Sequence, residues 1–202
     1  MLSPDQRVCF VGDSFVQGTM DEACLGWAGR VCAAARGAGF ELTGYNLGVR
    51  RDTSDDVRRR WLTECEARLP EGLEAAGVVF AFGTNDTTEE AGHRRVTADD
   101  SVANLRDILA VAAGRGWRTC FIGPPPVDDA AQNERIDSLS DRLVREAKQE
   151  GVPALSVFEA LAADEIWMRE AASNDGAHPS GAGYERLAQL VLQWEDWWFQ
   201  RT

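Results

Sequence analysis

The sequence predicts an α/β fold in three layers, with helices on both faces of a central parallel sheet of about five strands. Three observations predict it. Five short apolar runs recur, bounded by glycine or proline, and segments of helical periodicity separate them. The stretches suited to chemistry (Gly12-Asp13-Ser14, Gly48, Gly83-Thr84-Asn85-Asp86 and Pro124-Pro125-Pro126) each follow one of those runs. Open α/β sheets bind ligands beyond the carboxyl ends of their strands, so this placement fits the architecture.

The runs are Val8–Val11, Leu42–Leu47, Val78–Phe82, Thr119–Ile122 and Ala154–Phe158. They are too short for helices and carry β-branched and aromatic residues, which suit buried strands. Between the second and third, Ser54 with Asp55 and Asp56 gives a cap and an acidic first turn. Val57, Trp61, Leu62, Cys65 and Leu69 then form one stripe, stopped by Pro70 and Gly72. Thr97-Ala98-Asp99-Asp100 resembles a capping box with Asp for the usual Glu or Gln, followed by Val102, Leu105, Leu109 and Ala112. Ile136, Leu139, Leu143 and Ala147 repeat the pattern before Gly151 and Pro153. Strands alternating with helices in this way imply parallel pairing and right-handed crossovers.

The last segment, Tyr184–Phe199, predicts a helix whose stripe of Leu187, Leu190, Val191, Trp194, Trp197 and Trp198 faces the core. Its other face (Glu185, Gln189, Gln193, Asp196) is acidic or neutral, which an anionic membrane would repel. Leu192 and Phe199 fall outside the stripe and are candidates for a homodimer contact. No repeat or low-complexity linker interrupts the chain, so one domain over residues 1–202 is expected.

Charge narrows the partners. With 33 acids against 21 bases and a net charge of -12, the chain lacks the basic footprint of a nucleic-acid binder. Arg58, Arg59 and Arg60 come just after Asp55 and Asp56, with Val57 between, and are expected to make a solvated helix face. The first residues, Met1 to Ser14, lack the pattern of a secretory leader, and no stretch approaches the ~18 apolar residues of a membrane span. The five cysteines are odd in number and without CxxC spacing. A reduced, cytoplasmic protein is the expectation.

There are two histidines, His93 and His178. His93, in the polar loop 87–95, fits a surface residue. His178 has Asp175 three residues before it, close enough in a turn to accept the Nδ1 proton and leave Nε2 as a base. A structural loop histidine would show the same spacing. Ser14 follows a strand and a glycine, where a side chain emerges at the sheet edge; a helix cap would sit there equally well. GDSFVQG is neither G-x-G-x-x-G nor a P-loop with its lysine, which argues against a nucleotide site.

Gly12-Asp13-Ser14, Asn46-Leu47-Gly48, Gly83-Thr84-Asn85-Asp86 and Asp175-x-x-His178-Pro179 occur in this order across nearly the whole chain. Together they resemble the SGNH hydrolases, the GDSL-like lipases and acylhydrolases. The resemblance implies a flavodoxin-like three-layer sandwich and a serine esterase needing neither cofactor nor metal. Ser14 would be the nucleophile, His178 its base and Asp175 the orienting acid. The oxyanion hole would take the backbone N–H groups of Ser14 and Gly48 and the Asn85 amide. The chemistry explains each residue type. A serine hydroxyl needs a base to take its proton, glycine lets backbone approach substrate, and a neutral amide can face charge that arises only in the transition state.

The sequence departs from the family in two places. Phe15 stands where the family name has Leu. After Gly48 comes Val49-Arg50-Arg51-Asp52-Thr53, where many relatives carry a further glycine before the Thr. Asp52 is assigned to that slot, beside the oxyanion donors. Asp13 and Asp86 are expected to organise loops. Loops 87–96, 124–134 and 164–174 should wall the site, the last offering Trp167 and Met168 as an apolar acyl rim or as packing.

The expected substrate is a small soluble acyl ester, with carbohydrate O-deacetylase, thioesterase and lysophospholipase as alternatives. A metal-dependent phosphoesterase would need more converging His and carboxylate ligands than His178 supplies. A non-catalytic binding module on the same fold would be expected to lack a member of the set, and none is missing.

Overall fold

The computed structural model describes residues 5–73 and 75–200. Met1–Pro4, which carry part of the N-terminal leader expectation, lie outside the described residues. The chain runs β1 (Gln6–Gly12), α1 (Ser14–Gln17), α2 (Gly26–Gly37), β2 (Leu42–Gly48), α3 (Ser54–Glu66) and β3 (Ala75–Ala81). A 3₁₀ turn (Asn85–Thr87) and a small hairpin, β4 (Glu89–Glu90) and β5 (His93–Arg94), precede α4 (Ala98–Gly114) and β6 (Arg118–Ile122). Then come α5 (Ala130–Gln149), β7 (Ala154–Leu155), α6 (Phe158–Ala162), α7 (Glu165–Ser173) and α8 (Gly181–Gln193).

The main sheet has five strands in the order β2-β1-β3-β6-β7, and every pairing in it is parallel. This is the flavodoxin-like order, whose direction of winding reverses between β1 and β3. Gly12 pairs with Gly48 on one side and Ala81 on the other, so three strands end level at that switch point.

Strand alternation splits the core in two. Phe10, Val79 and Ile122 face a cluster with Trp27 and Val31 of α2 and Leu187 and Val191 of α8. Cys9, Val78 and Phe80 face the other, with Trp61 and Cys65 of α3, Leu105 and Leu109 of α4, and Leu139 and Leu143 of α5. The sequence stripes of α3, α4 and α5 are therefore the buried faces of those helices.

Three boundaries differ from expectation. The cap of α3 is Thr53 rather than Ser54: Thr53 and Asp56 make reciprocal bonds, whereas a cap at Ser54 would place Val57, which has no acceptor, at the third helical position. The run Ala154–Phe158 is strand only over Ala154–Leu155, because Phe158 already begins α6. The final helix stops at Gln193, with Trp194 extended. Beyond it Trp197 and Trp198 stack at 5.8 Å, and Gly77 of β3 makes room for the Trp198 ring. Phe199 is buried, at 5.4 Å from Phe40, so its own chain covers it and it offers no dimer contact; Leu192 packs on the same core. Among the described residues no helix is long and apolar enough to cross a membrane.

Candidate active site

Ser14 owes its position to its neighbours on either side. A side chain on Gly12 would collide with the Ala81 carbonyl at 1.9 Å, so glycine lets β1 reach the switch point. Asp13 then caps α1, accepting the Phe15 N–H at 2.9 Å. That puts Ser14 in the first turn of α1, where its own N–H has no helical carbonyl to pair with. Gly18, at φ 84°, ends the helix after one turn.

The imidazole arrives from the far end of the chain, between α7 and α8. His178 Nε2 lies 2.7 Å from Ser14 Oγ. Its Nδ1 lies 2.8 Å from Asp175 Oδ2, so Nδ1 carries the proton and Nε2 presents a lone pair to the serine. Asp175 Oδ1 also accepts the N–H groups of Ala177 (3.1 Å) and His178 (2.9 Å), and Asn174 Nδ2 donates to the His178 carbonyl at 3.0 Å. A stack supports the ring from behind: Phe15 sits 4.8 Å from His178, and Trp167 sits 6.1 Å beyond Phe15.

Burial pushes the His178 pKa below the ordinary histidine value, outweighing the Asp175 carboxylate, which acts to raise it. Burial would raise Asp175, but the His178 N–H and imidazole prevail and hold its carboxyl below the usual range. At neutral pH the pair is carboxylate and neutral imidazole, the state in which a histidine accepts a proton.

Asn85 opens the 3₁₀ turn after β3. Its Nδ2 donates to the Asp52 carbonyl at 3.0 Å and lies 3.4 Å from Asp13 Oδ2. Asp86 is wholly buried behind it, accepting the Ser54 N–H at 2.8 Å and the Ser101 hydroxyl at 2.6 Å. That carboxylate ties the starts of α3 and α4 to the turn, and burial raises its pKa.

Residues 10–186 match the model of the GDSL-like lipase/acylhydrolase family. The chain belongs to that family. It is an ester-bond hydrolase with the SGNH fold. Among solved structures, the acetylxylan esterase Axe2 from Geobacillus stearothermophilus superposes at a TM-score of 0.78 and 17% identity, covering 100% of this chain and 99% of its own. A lipase/acylhydrolase from Enterococcus faecalis gives 0.70 and 24% over 92% and 93%. LAE5, an α/β hydrolase enzyme from the metagenome of Lake Arreo, Spain, gives 0.75 and 20% over 94% of each chain. No curated protein sequence matches the chain.

The site of this hydrolase departs from the sequence expectation at several residues. The Gly48 N–H, expected as an oxyanion donor, donates to Asn46 Oδ1 at 3.0 Å. Packing also requires a glycine there: a side chain would meet Gln17 N at 2.2 Å and the Asp13 carbonyl at 2.7 Å, against the turn of α1. In the loop before Thr53 the left-handed conformation, φ 68°, falls on Arg51. Asp52 instead holds Arg60 Nε at 2.6 Å through its carboxylate and Asn85 through its carbonyl.

Residues 164–174, expected as a loop, are mostly α7. Trp167 is fully buried, its indole donating to the Pro126 carbonyl at 3.0 Å, so it is packing and not a rim. Met168 is partly buried against the same core. His93 is exposed on β5, as expected of a surface residue. Phe15 contributes to the site although the sequence pattern assigns it no role there. The available signal is an aromatic directly after Ser14, since it can buttress a ring held by that serine.

Proposed function

We propose that the hydrolase works through an acyl-enzyme on Ser14. His178 Nε2 takes the hydroxyl proton as Oγ attacks the ester carbonyl, and Asp175 stabilises the imidazolium that forms. The protonated His178 then gives that proton to the departing alcohol. Water repeats the sequence on the acyl-enzyme and releases the acid. The Ser14 N–H and the Asn85 amide serve as donors to the oxyanion, the second by exchanging its long contact to Asp13 for the developing charge. The observation that carries this reading is the unbroken relay from Asp175 through His178 to Ser14 Oγ, with contacts of 2.8 and 2.7 Å.

Short acyl groups suit the site best. The apolar space behind Ser14 is filled by the stack of Phe15 and Trp167, and the hollow beneath, lined by Phe15, Trp27, Ile122 and Leu187, holds about 10 Å³. A cavity of about 800 Å³ opens at the opposite end of the sheet, beside Gln6, Arg118 and Trp198, and contains none of these residues. Acetyl esters, including acetylated carbohydrates of the kind Axe2's name records, are therefore favoured over long-chain lipids.

The test joins labelling to a chain-length series. A fluorophosphonate should label the wild type at Ser14, and turnover of nitrophenyl esters should fall steadily from acetate to octanoate. Ser14→Ala should fold normally and lose both the label and at least ~10³-fold in kcat. Label on another residue, or full turnover by the variant, would refute the assignment. A maximum at long chains would refute the acyl preference alone.

A further inference from the structure

Among the described residues, the structure leaves Arg50 unmatched at the mouth of the site. The loop 49–52 is tied down at both ends beside the nucleophile: Val49 N–H donates to the Gly12 carbonyl at 3.0 Å, and the Asp52 carbonyl accepts Asn85 Nδ2 at 3.0 Å. Arg50 and Arg51 therefore cross the sheet edge between the Ser14 segment and the Asn85 turn. Arg94, on β5 of the hairpin, is likewise exposed and without an ion pair among the described residues, but it lies outside the tied loop; three other arginines of this wall are matched. Arg51 pairs with Glu90 at 2.9 Å, Arg60 with Asp52 at 2.6 Å, and Arg95 with the Arg51 carbonyl at 2.8 Å and Glu90 at 3.7 Å. Arg50 is exposed and makes no hydrogen bond or ion pair among the described residues.

In a chain of net charge -12, acids are plentiful enough to neutralise a rim arginine, and here none does. The general field of such a chain repels anions, so a substrate bearing one needs a local cation at the point of docking. A guanidinium provides that cation with a planar fork matched to a carboxylate or phosphate. Its charge reaches His178, where it acts with burial to keep the imidazole neutral. The direction of the charged group also follows. Packing behind Ser14 closes the acyl side, so an exposed cation on the neighbouring loop is left for the alcohol part of the ester.

We infer that Arg50 selects esters whose alcohol part carries an anionic oxygen group close to the scissile bond. The inference rests on the proposed ester-cleaving site and assigns it a substrate class, acylated anionic alcohols such as an acetylated uronic acid or sugar phosphate. Because the guanidinium is exposed, the preference is moderate and weakens with salt.

The experiment compares matched pairs: O-acetylated glucuronic acid against its methyl ester, and O-acetylated glucose 6-phosphate against O-acetylated glucose. For the wild type, kcat/KM should favour the anionic member of a pair by about tenfold, chiefly through KM, as expected for a charge-assisted contact. Which pair shows the larger ratio distinguishes carboxylate from phosphate. Arg50→Ala should bring the ratio to about one, Arg50→Lys should keep part of it, and about 0.5 M salt should shrink it in the wild type. Ratios taken at one pH cancel any effect of the charge on His178.

A wild-type ratio near one in both pairs, with neutral acetyl esters still cleaved, would overturn this inference and leave the esterase reading standing. So would a ratio that survives Arg50→Ala. Absence of turnover on every ester together with an unlabelled Ser14 would bring down both.

Discussion

At the scale of single residues, the balance of burial against charge decides how His178 behaves. A carboxylate neighbour alone would raise an imidazole above its ordinary value of about 6.5. His178 is only 8% exposed, however, and burial wins, so its pKa lies below that value. The activity it governs should be present at neutral pH and lost as acid protonates the ring, with the midpoint of kcat/KM below about 6.5. Asp175→Asn removes the carboxylate that fixes the Nδ1-protonated tautomer and stabilises the imidazolium, and should lower kcat by ~10³–10⁴-fold. A pH–rate profile of the wild type checks the first statement; a midpoint above 7 would mean that the carboxylate, not burial, sets the titration. This residue pair was legible in the sequence because Asp175-x-x-His178 closes one turn. The packing demand at Gly48 was not. A glycine in a motif signals close approach, and the sequence does not say whether the approaching group is a substrate or, as here, the first turn of α1.

Elements were legible where one buried face repeats and illegible where the packing partner lies far along the chain. The stripes of α3, α4 and α5 repeat over three or more turns, and each packs on the sheet. By contrast α7 and the residues after α8 are short and aromatic, and what fixes them is distant: Trp167 on the Pro126 carbonyl, Trp198 on Gly77. The switch-point strands share this logic, since Gly12, Gly48 and Ala81 end level only because three separate runs pair in register. The cap of α3 carries a prediction at this scale. Thr53 satisfies the Asp56 N–H and Asp56 returns a bond of 2.9 Å to the Thr53 N–H. Thr53→Ala should cost about 1 kcal/mol of stability. Asn85 leans on the adjacent Asp52 carbonyl, so the same variant should also lose a few-fold in kcat while KM holds. Denaturant unfolding and steady-state kinetics on one preparation check the pair. An unchanged unfolding midpoint would show that Ser54 or water replaces the cap.

Over the whole molecule, the site imposes a cost on the fold that pH can expose. Asp13 is 2% exposed, and burial raises its pKa to about 7, helped by the nearby Asp86 and Asp52 carboxylates and opposed by the Phe15 N–H it accepts. Tyr184, the other titratable group it faces, has its own pKa pushed up by burial and stays protonated. A carboxyl in the unfolded chain ionises near 4. Between about pH 4 and 7 the unfolded chain has therefore released a proton that the folded chain still holds. Stability must fall across that window, by on the order of 4 kcal/mol, and no further above it. The same carboxyl caps α1 and lies against Asn85, fixing Ser14 relative to the Asn85 amide on which the proposed mechanism depends. Asp13→Asn keeps an acceptor for the Phe15 N–H and removes the titration. Groups elsewhere titrate alike in both proteins, so their contributions cancel in the difference. Measured by denaturant unfolding from pH 4.5 to 8, the stability of the variant relative to wild type should climb steadily and level off above about 7. A difference that stays constant over this range would mean that Asp13 remains charged throughout, with water or a shifted Asn85 amide meeting the cost of its burial.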